Sequence, residues 1–345
     1  MKVERSQTFP FSCHAVEFSP FQGQRLAVAT AQYFGVVGNG RLHVIDQGAP
    51  SGAFREVRSF DTQAGLYDCS WSECNVRQIA TGGADGVVKL WDLETVDDFP
   101  VADWREHTQD VSGVDWNLVA KDTFASASCD GSVRVWSPLA TGSLRIFDDH
   151  GQHPVYGAVW SPHSSSQLLS SSGDGTARLL DPRTPTAVLV LNAHEGHEVL
   201  SADWDKYDAN LVATGCADGT VRVWDLRHPR HPLWVNNEHG YSVRRLRFSP
   251  YASGVLAAAS YDTTVTLWDC SGASLVSPDR VDKANNMGVR GARTIGDART
   301  SIHGNVLGRG LAHTEFVVGV AFALFEPGSL ATCSWDRRLC MWRCF

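Results

Sequence analysis

The chain has 345 residues, 43% of them apolar, with twelve tryptophans and a net charge of −8. The apolar fraction excludes a disordered chain, and the acidic balance excludes a general nucleic-acid binder, whose affinity rests on clustered Lys and Arg. Nine scattered cysteines show no CxxC or Cys/His zinc spacing, and no apolar run approaches a membrane span. The expectation is a soluble protein of a reducing compartment, with no metal, no cofactor and no stable membrane insertion.

From the N-terminus, Lys2 to Phe9 alternates like a strand, with Val3, Arg5, Gln7 and Phe9 on one face. The next conspicuous stretch is "FGVVGNGRLHVID" (34–46). Its glycines run Gly-x-x-Gly-x-Gly, the reverse of a phosphate loop, and residues 41–46 after them alternate with period two. It therefore reads as a hairpin turning on Asn39-Gly40, not as a nucleotide site.

From there the chain repeats. "IATGGADGVVKLWDL" (79–93) returns as "FASASCDGSVRVWSP" (124–138), "LLSSSGDGTARLLDP" (168–182) and "VATGCADGTVRVWDL" (212–226). It returns again as "LAAASYDTTVTLWDC" (256–270) and "LATCSWDRRLCMWRC" (330–344). Trp91, Trp136, Leu180, Trp224 and Trp268 lie 44 or 45 residues apart, and Ile45 holds the same place one repeat earlier. Each repeat is preceded by a strand ending on an aromatic residue, seven in all, and often by a His before that strand: His107, His150, His194, His239 and His313. Asp-Gly at 85, 130, 174 and 218 favours tight hairpins.

Seven copies at fixed spacing resemble the WD40 family, which implies an all-β, seven-bladed WD40 β-propeller of four-stranded blades over residues 1–345. In that family a His, a Ser or Thr, an Asp and the Trp form a buried hydrogen-bond chain. Blade three has the set His107, Ser126, Asp130 and Trp136, and blade seven has His313, Thr332, Asp336 and Trp342. Leu180 in blade four and Ala258 in blade six interrupt it. A His or Asp of this set reads as structural, and no catalytic motif is found, so no enzyme activity and no catalytic residue is expected. The last repeat lacks an outer strand, which residues 2–9 are expected to supply, closing the ring. Residues 271–312, rich in Gly, Arg, Ser and Asn, read as a long solvated insertion between blades six and seven, with a partner contact as the alternative.

Propellers of this kind present side chains on the rims of their blades. Strand alternation points the residues six and four before each strand aromatic toward one face, joined there by the residue before each hairpin Asp. Among them Tyr67, Tyr156, Tyr261 and Trp335 form a candidate apolar groove, and Asp110 and Glu198 are candidate carboxylates. Asp68 is a third carboxylate that could instead face the central channel, and each of these residues could instead pack against a neighbouring blade. Apolar and acidic groups together suit an amphipathic basic helix.

Blade one is the anomalous repeat. "SPFQGQRLAVATAQYFGVVGNGRLHVID", "DFPVADWREHTQDVSGVDWNLV" and "DKYDANLVATGCADGTVRVWDLR" are similar to the receptors for the type-2 peroxisomal targeting signal, the seventh-peroxin family. That resemblance implies a soluble import receptor that cycles between cytoplasm and peroxisome. Its partners would be cargo proteins carrying an N-terminal signal Arg/Lys-Leu/Val/Ile-x5-His/Gln-Leu/Ala folded as a helix, a peroxin co-receptor and the peroxisomal docking complex. It also implies that the glycines shape a rim hairpin and let another backbone approach. The alternative is a substrate adaptor of a cullin-type ubiquitin ligase, because "WDLR" (Trp224–Arg227) resembles the Trp-Asp-x-Arg motif of such adaptors and "LDPR" (180–183) is a degenerate neighbour. The Arg residues could equally pair locally with carboxylates.

Overall fold

The computed structural model describes residues 1–48, 53–271 and 305–344. Seven four-stranded antiparallel sheets form the blades of a β-propeller. In blade three the strands, lettered a to d from the axis outward, are Val111–Trp116, Phe124–Ser128, Val133–Trp136 and Arg145–Phe147. The described residues of blades one to six are 12–48 with 53–62, 66–104, 111–147, 155–192, 199–236, and 243–271 with 305–310. Blade seven combines Val317–Phe322, Ser329–Ser334 and Arg338–Arg343 with Lys2–Thr8, which pairs antiparallel with Arg338–Arg343.

Apolar side chains fill the spaces between blades. Val88, Leu90 and Trp104 of blade two pack on Val114, Trp116 and Trp136 of blade three, for example. Burial of this kind contributes roughly 25 cal/mol per Å² and is the main force holding neighbouring blades together.

Polar groups stitch the same joints near the axis. Glu17 Oε2 accepts the Trp71 N–H at 2.6 Å, Ser70 Oγ accepts that of Trp116 at 3.2 Å, and Asp115 Oδ2 that of Trp160 at 2.7 Å. Asp203 Oδ2 accepts from Phe248 N at 2.7 Å. All four acceptors sit one residue before the strand-a aromatic, so a single register position joins blade to blade.

The His–Ser/Thr–Asp–Trp chain is formed where the repeat is complete. In blade three His107 Nδ1 lies 2.9 Å from Asp130 and Nε2 2.7 Å from Ser126 Oγ, which also accepts the Trp136 indole N–H at 2.8 Å. Blade seven repeats it through His313, Asp336, Thr332 and Trp342. In blade four His150 keeps Asp174 and Ser170 while Leu180 offers no donor. In blade six Ala258 cannot accept: His239 Nε2 has no partner among the described residues, and the Trp268 indole N–H turns 3.4 Å away to Glu238.

Two expectations are corrected. Asn305–Gly310, inside the expected insertion, is the outer strand of blade six, paired with Val265–Asp269; residues 272–304 of that insertion lie outside the described residues. The blade-one hairpin does not turn on Asn39-Gly40. It is a longer loop closed by Gln32 N to Asn39 O at 2.9 Å, and positive φ falls on Tyr33, Phe34, Gly35 and Gly38. Gly40 begins a strand, and a Cβ there would lie 2.5 Å from Ala64 O, so a neighbouring backbone does approach closely.

The blade-chain geometry carries a paired prediction. Ser126→Ala leaves His107 Nε2 and the Trp136 indole unpaired and is expected to cost about 1–3 kcal/mol of unfolding free energy. Ala258→Ser supplies the missing acceptor in blade six and is expected to gain about 0.5–1.5 kcal/mol. Denaturant titration of both variants checks the opposite signs.

Candidate peptide-binding face

Every innermost strand contains a register shift at the same place. Pairing skips from Cys13 to Ala15, Leu66 to Asp68, Val111 to Gly113 and Val155 to Gly157. It skips likewise from Val199 to Ser201, Val243 to Arg245 and Val317 to Gly319. The skipped residues, four before the strand aromatic, are His14, Tyr67, Ser112, Tyr156, Leu200, Arg244 and Val318. A bulged residue leaves the ladder and its side chain is re-aimed, which is why bulges recur beside binding sites. Seven bulges thus fall in register at one end of the propeller, with Tyr67, Tyr156 and Arg244 partly exposed and His14, Ser112, Leu200 and Val318 buried.

On this rim three of the four expected aromatic residues, Tyr67, Tyr261 and Trp335, join one chain of ring contacts, while Tyr156 stands apart against Glu198. Tyr261 stacks on Phe316 at a centroid distance of 4.6 Å, Phe316 lies 5.2 Å from Trp335, and Trp335 lies 5.4 Å from Phe34 and 5.9 Å from His14. His14 reaches Tyr67 at 5.4 Å. The band therefore runs from blade six through seven and one to blade two. Burial, helped by the Arg244 charge, lowers the His14 pKa to about 3, so the imidazole is neutral.

The carboxylates lie at the other end of the band. Tyr67 donates its hydroxyl to Gly35 O at 2.6 Å; burial and then the neighbouring Asp110 carboxylate raise its pKa to about 12. Tyr156 donates to Glu198 Oε2 at 3.1 Å, and burial followed by that carboxylate raises its pKa as well. The face thus has an aromatic sector on blades six, seven and one and an acidic sector on blades three to five.

Asp68 does not belong to it. The bulge at Tyr67 turns the next residue into the channel, where Asp68 is buried and pairs with Arg245 at 3.2 Å. The remaining residues at that register are Ala15, Gly113, Gly157, Ser201 and Gly319, small enough to leave the pair room. Asp68 Oδ2 also accepts the Val114 N–H at 3.1 Å. Its role is structural.

Two contributors were not among the candidates singled out from the sequence. Arg244, at a position that alternation does point to this face, brings a cation there and donates to Leu200 O at 3.4 Å. Tyr33 and Phe34 are 70% and 48% exposed on the blade-one loop. The signal for the loop was its length relative to the other repeats; nothing in the repeat marked the bulge.

Other polar sets have local explanations. Arg227 pairs with Asp225 through bonds of 2.7–3.1 Å, and Arg183 pairs with Asp181 in the same way, so local pairing accounts for both arginines. His194, Cys216 and Asp218 lie close enough to hold a metal ion. Both His194 nitrogens are nonetheless taken, by Thr214 at 2.9 Å and Thr220 at 3.0 Å, so the set reads as the blade-five hydrogen-bond chain. No helix among the described residues is long and apolar enough to cross a membrane.

A family model described as WD domain, G-beta repeat matches residues 54–92, 99–137, 141–181, 185–225 and 230–269. The chain belongs to the WD40 family. Each WD40 match begins on or before the outer strand of one blade and ends on strand c of the next or one residue past it, the offset that also pairs the first and last described strands in blade seven. Among curated proteins the chain is 47% identical over 130 residues to the peroxisomal targeting signal 2 receptor of Dictyostelium discoideum, covering 37% of this chain and 40% of that one. It is 43% identical over 134 residues to the protein of the same name from Saccharomyces cerevisiae, covering 39% and 35%, and 40% identical over 138 residues to that of Mus musculus, covering 40% and 42%. These matches span about two fifths of the length of the curated relatives.

The contrast between the channel and the face is testable. Asp68→Ala removes one partner of a buried ion pair and is expected to cost about 3–5 kcal/mol of stability. Glu198→Ala, at an exposed position, is expected to change it by less than about 0.5 kcal/mol. Unfolding free energies of the two variants check this.

Proposed function

We propose that the chain is a receptor for type-2 peroxisomal targeting signals and that the bulge-lined face holds the signal as an amphipathic helix. The observation that carries this reading is the division of the face. Aromatic rings from Tyr261 to Tyr67 offer a continuous apolar strip, while Asp110 and Glu198 offer negative charge beyond its end. A helix that begins with a cation and carries Leu, Val or Ile on one face matches both sectors. The similarity to proteins named peroxisomal targeting signal 2 receptor supports the same reading.

On this reading the site residues are Tyr67, Asp110, Tyr156, Glu198, Tyr261 and Trp335, with Phe34 and Phe316 completing the strip. The protein does no chemistry on its cargo. It receives cargo in the cytoplasm, is joined by a peroxin co-receptor, and passes cargo to the peroxisomal docking complex.

A partly desolvated charge-assisted hydrogen bond contributes about 1.5–3 kcal/mol, roughly ten- to hundred-fold in affinity. Asp110→Ala and Glu198→Ala are therefore expected to weaken an Arg-initiated signal peptide more than the same peptide with Gln at that position. Tyr261→Ala and Trp335→Ala are expected to weaken both alike. Calorimetric titration on folded variants measures this; charge-independent losses at Asp110 and Glu198 would overturn the charge assignment.

A further inference from the structure

The blade-one loop, residues 32–39, joins the strands Arg25–Ala31 and Gly40–Gln47. Its backbone is left-handed at Tyr33 (φ 44°) and Phe34 (φ 61°), a region that aromatic residues rarely adopt. Such a conformation is strained and persists only where its surroundings over-determine it. Most of the loop's hydrogen bonds close it on itself: Gln32 N–H to Asn39 O at 2.9 Å, Asn39 N–H to Gln32 Oε1 at 3.0 Å and Val36 N–H to Tyr33 O at 3.2 Å. These set its shape but do not fasten it to the ring. Its tip, Val36 and Val37, is exposed.

The fastening comes from the aromatic residues of the face. Phe34 lies 5.4 Å from Trp335 of blade seven, and Tyr33 and Phe34 wall a cleft shared with Phe11 and Trp335. Gly35 is buried against two rings: an added Cβ would come within 2.5 Å of Tyr67 Cε1 and 3.1 Å of His14 Cε1. Tyr67 of blade two donates its hydroxyl to Gly35 O at 2.6 Å, the loop's one hydrogen bond to another blade among the described residues.

That hydroxyl has a second acceptor beside it. Burial and then the Asp110 carboxylate raise the Tyr67 pKa to about 12, so the proton stays on the oxygen. A tyrosine hydroxyl has one proton to donate, so it serves Gly35 O or Asp110 but not both at full strength.

We propose that Tyr67 is a positioning residue for peptide binding: its hydroxyl latches the blade-one loop to the aromatic strip, and a ligand cation on Asp110 tightens the latch. The inference rests on the receptor reading above. A cation gives Asp110 a charge-assisted partner stronger than a neutral hydroxyl. The Tyr67 proton is then left to Gly35 O, and the loop holds Phe34 beside Trp335. The acidic and aromatic sectors are thereby read together. A peptide with an apolar face but no cation meets a loosely held loop.

Tyr67→Phe keeps the ring against His14 and removes only the hydroxyl. The ¹⁵N relaxation order parameters of the Gly35, Val36 and Val37 amides are expected to fall in that variant, with an unfolding midpoint close to that of the unaltered chain. Gly35→Ala drives a Cβ into Tyr67, unseats the latch from the loop side, and is expected to lower the same order parameters at Val36 and Val37. A peptide of the form Arg-Leu-x5-His-Leu is expected to raise them in the unaltered chain more than its Gln-initiated counterpart does, and to bind Tyr67→Phe several-fold more weakly. In a Phe34→Ala background Tyr67→Phe is expected to cause no further loss of affinity, because a latch acts only through the ring it positions. Unchanged order parameters in both variants, or an affinity loss of the same size with and without Phe34, would overturn the proposal. If the unaltered chain binds neither peptide, the receptor reading falls and the ligand-cation step with it, while the order parameters of the free variants still decide the latch.

Discussion

A closed ring of sheets leaves its innermost strands nowhere to relax. Each lies against two neighbours and the channel, so every polar group it buries needs a partner within reach. The residue one before the strand aromatic meets this constraint by accepting a backbone N–H from the next blade, as Glu17, Ser70, Asp115 and Asp203 do. The residue four before it meets the constraint differently, by leaving the ladder altogether as a bulge. That second solution brings Tyr67, Tyr156 and Arg244 to one rim, partly exposed, while strand pairing resumes at the next residue. The candidate site is thus a by-product of how the ring closes, and its chemistry is set by which residue stands at the bulge.

The same logic sorts the carboxylates. Asp68 and Asp110 are both acidic residues near the start of an innermost strand, yet one is buried against Arg245 and the other sits on the face. The difference is their place relative to the bulge: Asp68 follows it by one residue and Asp110 precedes it by two. Buried acids that accept backbone N–H groups hold the blades together. Those before the bulge, Asp110 and Glu198, keep solvent access and can meet a cation from outside. Asp115 does the first job in accepting the Trp160 N–H, and burial pushes its carboxyl up to about 7.

Much of the architecture was legible in the sequence because repetition multiplies weak signals. Any one "DG…W" segment is a poor predictor, but its recurrence every 44 or 45 residues fixes seven sheets and their order. The hydrogen-bond chains were legible too, including their interruption at Leu180 and Ala258, since each needs one residue type at one place. The site was legible only in part. Alternation pointed Tyr67 and Tyr156 to this rim, and the position before the hairpin Asp pointed Tyr261 and Trp335 there, yet the bulge that carries Tyr67 and Tyr156 has no residue signature: His, Tyr, Ser, Leu, Arg and Val all occupy it. For that reason Asp68 could not be assigned to face or channel in advance. The outer strand Asn305–Gly310 was missed because an outermost strand with one solvent-facing side shows little apolar periodicity, and a long insertion separates it from its partner. The blade-one loop was misread because Asn39-Gly40 is a strong turn pair in isolation, whereas Gly40 is needed for close approach to Ala64.

The central claim is that a preformed face, acidic at one end and aromatic along its length, receives a signal helix without rearrangement of the ring. The most direct measurement is the structure of the chain bound to a signal peptide of about twenty residues. The account predicts the leading Arg or Lys within hydrogen-bonding distance of Asp110 or Glu198, the apolar helix face over Tyr261, Phe316 and Trp335, and the bulged strands unmoved. A peptide bound on the outer wall or at the opposite mouth, or one that lies on this face with its cation over the aromatic sector, would contradict it.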